Sequence, residues 1–146
     1  MAPAAAVMLI LDTDHMSELH RGVPLSDALR RRLDAAATPF GTTIVSVDEL
    51  MRGRLAQIAA AKDGDKLIAP YARFQGLVNA LSRWLIVPWD EPAVRKFAQL
   101  RAKRLGVATM DLRIASIVLA NNATLLSRNL KDFERVPDLK VADWLS

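Results

Sequence analysis

The chain has 146 residues, half of them apolar and a quarter charged, which is the size and composition of one folded domain with a real core. It has no cysteine and two histidines, His15 and His20, which excludes a disulfide framework and any Cys- or His-rich metal site. Its net charge of +4, mixed in sign along the chain, admits a polyanionic partner without requiring one.

The leader MAPAAAVMLIL lacks a basic start, and Asp12 interrupts it too early for a signal peptide; Met8 offers an alternative start. No apolar run approaches the ~20 residues that span a membrane. A reducing, cytoplasmic setting fits the absence of cysteine. Val7 to Leu11 reads as strand one, apolar on both faces and suited to a sheet interior. Asp14 is the expected cap of a short helix through Met16 and Leu19 that stops at Gly22-Val23-Pro24. Ser26 or Asp27 opens a helix with Leu29 and Leu33 on one face, and Pro39 and Gly41 end that segment.

Thr42 to Val47, β-branched through its middle, reads as strand two. A helix follows with Leu50, Leu55, Ile58 and Ala59 inward, then a turn at KDGDK, residues 62 to 66. The next helix runs from about Ile68 to Arg83 and carries Phe74, Leu77, Val78 and Leu81. Trp84 to Val87 is strand three. Pro92 opens a helix with Val94, Phe97, Ala98 and Leu105 inward, closed by Gly106. Met110 to Asn121 is a further helix, Thr124 to Ser127 strand four, and Leu139 to Ala142 strand five. Strands alternating with helices, without repeat, linker or low-complexity tract, predict a single α/β domain over residues 1–146, with a parallel sheet covered on both faces.

Ligand sites in such sheets lie at the carboxyl ends of the strands. Asp12 and Asp14 end strand one, Asp48 and Glu49 follow strand two, Ser127, Arg128 and Asn129 follow strand four, and Asp111 sits in the first turn of the helix before strand four. Each acid has a structural reading. Ser46 and Glu49 have capping-box spacing, Thr109 can cap the helix that holds Asp111, and Asp14 can cap its own. Asp12 then has no helix left to cap. Together the acids suggest more than caps, because clustered carboxylates raise one another's pKa unless a cation neutralises them. A hard divalent ion accepts a few carboxylates and keeps several waters, which suits hydrolysis of a phosphodiester. Nearby basic residues would hold a nucleic-acid backbone.

Four segments in this order resemble a known family: LILDTDHMSEL, TTIVSVDELMRG, the Asp111-led helix TMDLRIASIVLA, and the turn LLSRNLKDF followed by a closing Trp144. The sequence resembles the PIN-domain ribonucleases of the VapC type, the toxins of toxin–antitoxin pairs. The resemblance implies a PIN-like three-layer sandwich with a five-stranded parallel sheet of order 3-2-1-4-5. It implies a Mg²⁺-dependent endoribonuclease, with Mn²⁺ as a substitute, and metal ligands Asp12, Glu49 and Asp111. Ser127 and Asn129 match the turn that completes the site, and Asn129 stands where many relatives carry a fourth acid. Asp14, Arg113 and Arg128 are expected to support the site, and Asp132, paired with Phe133, to close the turn. The resemblance further implies RNA as substrate, a homodimer, and a cognate antitoxin, with the helices from 50 to 83 as the contact region.

Arg30-Arg31-Arg32 reads as a solvated helix face, whereas Arg101, Lys103 and Arg104, with Arg113 and Arg128, are candidates for phosphate contact. Aromatic residues are too sparse to suggest a base-stacking platform, and Trp84, Trp89 and Trp144 are expected at strand ends. One alternative is a phosphatase of the haloacid dehalogenase type, with Asp12 as nucleophile and Asp14 as general acid. The late Gly-Asp-x-x-x-Asp of that type is missing, since Gly64-Asp65 leads to Ala69. Another alternative is a module that binds RNA or antitoxin but has weak or no catalysis, with Asn129 as the symptom.

Overall fold

The computed structural model describes residues 7–20 and 24–146. Five parallel strands lie in the order β3-β2-β1-β4-β5, as the family resemblance implies. They are β1 (Leu9–Leu11), β2 (Phe40–Thr43), β3 (Ile86–Val87), β4 (Thr124–Leu126) and β5 (Lys140–Ala142). Among the described residues seven α-helices cover them: α1 (Thr13–Leu19), α2 (Pro24–Ala36), α3 (Ile44–Ala60), α4 (Ile68–Leu81), α5 (Glu91–Ala102), α6 (Thr109–Ala120) and the single turn α7 (Leu130–Phe133).

β1 is central because it is apolar throughout. Ile10 opposes Gly41 of β2 and Leu125 of β4, and Leu11 opposes Leu126. Side chains alternate across a strand, so the sheet feeds two cores. Ile10 and Leu125 join Ala93, Leu100, Ile114 and Ile117 from α5 and α6. Leu9, Leu11 and Leu126 join Met16, Leu29, Leu33, Leu77 and Leu81 from α1, α2 and α4. Two faces buried by helices make the three-layer sandwich.

Several boundaries differ from the sequence reading, each for a local reason. β1 starts at Leu9, two residues later than expected, and β3, β4 and β5 are shorter by two, one and one residues. Strand two does not reach Val47. Thr43 Oγ1 accepts the Ser46 N–H at 3.0 Å and caps α3, so Ile44–Val47 are helical despite their β-branched run. The expected Ser46–Glu49 capping box is therefore displaced by Thr43. Gly41 lies within β2 instead of ending a segment. A Cβ there would stand 2.4 Å from the Leu85 carbonyl oxygen, which accepts the Thr42 N–H at 2.9 Å.

α3 buries Val45, Ser46 and Val47, whereas Leu55 and Ala59 are exposed. On α4, Leu77 and Leu81 are buried but Val78 is not. α5 begins at Glu91, capped by the Asp90 side chain, and ends at Ala102, before Gly106. Its buried residues are Ala93 and Leu100, while Val94 and Ala98 face out. The expected turn at 62–66 includes a 3-10 turn, Gly64–Leu67. α6 spans Thr109–Ala120, so Thr109 is its first helical residue and Ala108 its cap. α2 starts at Pro24, ahead of Ser26 and Asp27, and the helix stop expected at Gly22-Val23 lies outside the described residues. Arg30, Arg31 and Arg32 are exposed as expected, with the Arg32 guanidinium 4.4 Å from the Trp144 ring centroid. No described helix is long and apolar enough to cross a membrane.

Candidate active site

The carboxyl ends of β1, β2 and β4 meet at one rim, and the acids of the sequence reading are delivered there by different elements. Asp12 follows β1 directly and is 6% exposed. It caps α1 after all, for its Oδ1 accepts the Thr13 N–H at 2.8 Å. Asp14 lies inside the first turn of that helix, so the expected assignment of the cap to Asp14 is corrected. The other Asp12 oxygen accepts the buried Ser127 hydroxyl at 2.9 Å. Burial drives the Asp12 pKa up, the Thr13 amide opposes this, and the charges of Asp14 and Asp111 add to it.

Glu49 sits in the second turn of α3. Its Oε1 is buried and accepts no hydrogen bond. Desolvation, then the charges of Asp12, Asp111 and Asp48, push its pKa up to about 7. Its neighbour Asp48 points elsewhere and pairs with Arg52 at 2.6 Å, which separates the two acids. Asp111, in the first turn of α6, is raised by burial and by Asp132 and Asp14.

The turn after β4 joins these groups. The Asn129 N–H reaches Ser127 Oγ at 3.0 Å, and the Arg128 N–H reaches Asp14 Oδ2 at 2.9 Å. The Asn129 side-chain amide donates to Asp111 Oδ2 at 3.3 Å and to Asp132 Oδ2 at 3.2 Å. The Asp132 carboxylate is thus brought to the rim through Asn129. Its signal in the sequence was its spacing, three residues beyond Asn129, which puts both on one side of a helical turn.

His15 had no expected role, yet it is fully buried beneath this rim. Its Nε2 lies 3.1 Å from the Trp144 N–H, which can only donate. Nε2 is therefore the acceptor, and Nδ1 carries the proton that it gives to Asp14 Oδ1 at 2.6 Å. Burial raises Asp14, but this bond and the Arg128 amide outweigh it, and its pKa falls. Arg113 donates to Met110 Sδ at 3.5 Å and makes no ion pair among the described residues. The Arg128 side chain is exposed.

As the side chains stand, no three His, Asp or Glu among the described residues already form a metal-holding group. The donor set is nevertheless hard oxygen, mutually repelling, and includes one buried oxygen without a partner at Glu49. That chemistry suits a divalent cation of the Mg²⁺ type.

The PIN domain profile matches residues 9–139, most of the chain. The chain belongs to the PIN-domain family. With that membership the haloacid-dehalogenase reading falls. Ribonuclease VapC2 of Rickettsia felis is 37% identical over 68 residues, covering 44% of this PIN chain and 51% of the relative. A tRNA(fMet)-specific endonuclease VapC of Salmonella typhimurium is 27% identical over 84 residues, 55% of this chain and 64% of the relative. The matches thus span about half to two thirds of the curated relatives. Among solved structures, VapBC2 of Rickettsia felis bound to promoter DNA superposes with a TM-score of 0.74 at 24% identity, covering 94% of this chain and 98% of that one. FitAcB from Neisseria gonorrhoeae gives 0.65 at 26% identity, with the same coverage of 94% and 98%.

Proposed function

We propose that this PIN domain is a divalent-metal-dependent endoribonuclease, the toxin of a toxin–antitoxin pair. The observation that carries the reading is the convergence of Asp12, Glu49, Asp111 and Asp132 from separate segments on one rim, with the buried Glu49 Oε1 lacking any partner. Asp12, Glu49 and Asp111 are the proposed ligands of Mg²⁺ or Mn²⁺, with Asp132 near them. When bound, such an ion supplies Lewis acidity, screening the phosphodiester's charge and making a water more acidic.

The chain's own residues have distinct tasks in this reading. Ser127 holds Asp12 in place through its hydroxyl, and its Oγ in turn anchors the Asn129 backbone. Asn129 spaces Asp111 from Asp132 without adding charge. Asp14, kept ionised by His15, braces the Arg128 backbone, which leaves the Arg128 and Arg113 side chains for substrate phosphate.

The partners follow the structural relatives, two of which are toxin–antitoxin proteins by name, one from Klebsiella pneumoniae and one from Mycobacterium tuberculosis. We assign an antitoxin and a second copy of this chain as partners, on the α3–α4 side. Leu55, Ile68, Tyr71 and Val78 are all more than two-fifths exposed there. A cavity of about 460 Å³ also opens there among Met16, Leu50, Arg54, Arg73 and Leu77. The place of action is the cytoplasm, where the RNA is.

The test is cleavage of total RNA by the purified chain with Mg²⁺, with Mn²⁺ and with chelator, beside Asp111→Asn. Cleavage that needs the cation and vanishes in the variant supports the reading. Cleavage that survives chelation, or proceeds at parental rate in Asp111→Asn, overturns it.

A further inference from the structure

Two cavities outside the acidic rim share a wall. One, about 410 Å³, is lined by Ile44, Val45, Asp48, Trp89, Phe97 and Arg113. The other, about 380 Å³, is lined by Phe97 and Arg113 again, with Arg101, Arg104, Leu105 and Thr109 among its other residues. Because Phe97 and Arg113 belong to both, the two form one trench. It runs from the start of α3, past the end of β3, to the loop between α5 and α6. Asp48 on α3 and Arg113 on α6 stand within two residues of Glu49 and Asp111 but on other faces of those helices, so the trench runs beside the rim.

The two halves differ in chemistry. The first is mainly apolar and aromatic, with one carboxylate, Asp48, which is already paired with Arg52. Trp89 and Phe97 meet edge to face, their ring centroids 5.6 Å apart and their planes at 75°. Both rings are only partly buried, packed from behind against the core that holds Ala93 and Leu100, and Ile44 beside them is 40% exposed. The second half is cationic. Arg101 and Arg104 are exposed, no carboxylate lines that half, and neither these two nor Arg113 has an ion pair among the described residues. The loop is held in shape by left-handed backbone at Arg104 (φ 51°) and Gly106 (φ 71°), with Arg135 Nη1 donating to the Gly106 carbonyl at 3.1 Å.

A rigid aromatic pair beside three unpaired guanidinium groups is the combination that grips single-stranded nucleic acid. An unpaired base can stack on an aromatic ring, and the backbone phosphates follow the cations. A duplex offers no free base face to such a ring. An apolar protein segment would bury the aromatic half but leave the three arginines without counter-charge. The charge therefore favours RNA over a protein occupant.

We propose that this trench binds the single-stranded RNA substrate on one side of the cleaved bond, with a base against Trp89 and Phe97 and successive phosphates along Arg113, Arg101 and Arg104. This deepens the nuclease reading and rests on it. The trench makes the enzyme selective for unpaired RNA and gives its preference at the base nearest the aromatic pair.

The test is binding of a labelled ten-nucleotide single-stranded RNA by the full chain in chelator, where nothing is cut, over a range of salt. One variant combines Arg101→Gln with Arg104→Asn, chosen because asparagine tolerates the left-handed backbone at 104. A second is Trp89→Leu, with folding checked by circular dichroism. The expected result is a loss of at least about tenfold in affinity for the arginine variant, with the slope of log affinity against log salt shallower by about 1.4. Trp89→Leu is expected to lose about tenfold with the salt dependence unchanged, and an RNA duplex to compete poorly against the parent. A folded arginine variant that binds as tightly as the parent, with the same salt dependence, overturns the trench while leaving the nuclease reading intact, provided that the parent still cuts RNA when Mg²⁺ is restored. Loss of the homodimer or of antitoxin binding in the variants, with RNA affinity unchanged, would make the trench a protein interface and overturns the proposal as well. A parent that neither binds nor cuts single-stranded RNA overturns both.

Discussion

The side-chain amide of Asn129 stands between two carboxylates, 3.3 Å from Asp111 Oδ2 and 3.2 Å from Asp132 Oδ2. It gives each a proton to share and adds no charge of its own. Asn129→Asp would set a third carboxylate between the two. At such separations each like-charge contact costs about 1 kcal/mol even in water-like surroundings. In chelator the variant is expected to melt a few degrees below the parent, and to gain more from added Mg²⁺ than the parent does. Thermal melts with and without the cation decide this. Equal melting in chelator would mean that Asn129 does not space the acids.

Glu49 gives the metal-free protein a definite pH dependence. Its folded pKa, about 7, lies above its ordinary value of 4.5. The folded state therefore holds its proton more tightly, and the associated stability is complete below pH 4.5 and lost as pH rises through 7. The full shift corresponds to about 3 kcal/mol, and a partly solvated carboxylate should realise about 1 kcal/mol of it. Denaturant unfolding at pH 5 and pH 8, in chelator, should show the parent more stable at pH 5. In Glu49→Gln that component of the difference should vanish.

Asp12 and Asp111 should behave differently when neutralised. Asp111→Asn leaves α6 capped as before, since Ala108 offers no side-chain cap, so cleavage should fall roughly 100-fold or more with little change in stability. Asp12→Ala removes the α1 cap and the Ser127 partner together. It should also cost about 1–2 kcal/mol of stability. Paired activity and urea-unfolding measurements separate the two.

His15→Leu tests the buried link from the C-terminal segment to the rim. It strands the Trp144 N–H and one Asp14 oxygen, for which about 2–3 kcal/mol of destabilisation is expected. His15→Gln, able to donate and accept, should recover part of that loss. If leucine is tolerated without cost, the bonds at Asp14 and Trp144 contribute little.

The sheet order and the rim acids Asp12, Glu49 and Asp111 were legible because a parallel sheet must present its carboxyl ends together, and because four family-like segments stood in order. The end of strand two was not. A run such as Thr-Thr-Ile-Val-Ser-Val favours a strand by propensity, but a threonine cap and burial of Val45 and Val47 against the sheet prevail. Asp12 and Asp14 are both competent caps, and local pattern cannot rank them; the Ser127 and Arg128 partners that do so lie more than a hundred residues away. On the faces of α3 and α5 expected to point inward, Leu55, Ala59, Val94 and Ala98 are exposed. Both helices are only partly covered, so apolar residues occur on their open sides too. His15 and the Trp89–Phe97 pair depend on tertiary contacts alone.

Thr43 ends β2 and at once begins α3, with no loop between. The bearing of Glu49 is thus set by helical phase alone, counted from the last paired residue of the sheet. A single residue inserted between Thr43 and Glu49 would rotate that carboxylate by about 100° and lift it ~1.5 Å. Such a protein could keep its sheet and both cores and still have no working centre. Spacing along this joint is thus as much a part of the chemistry as the acid itself.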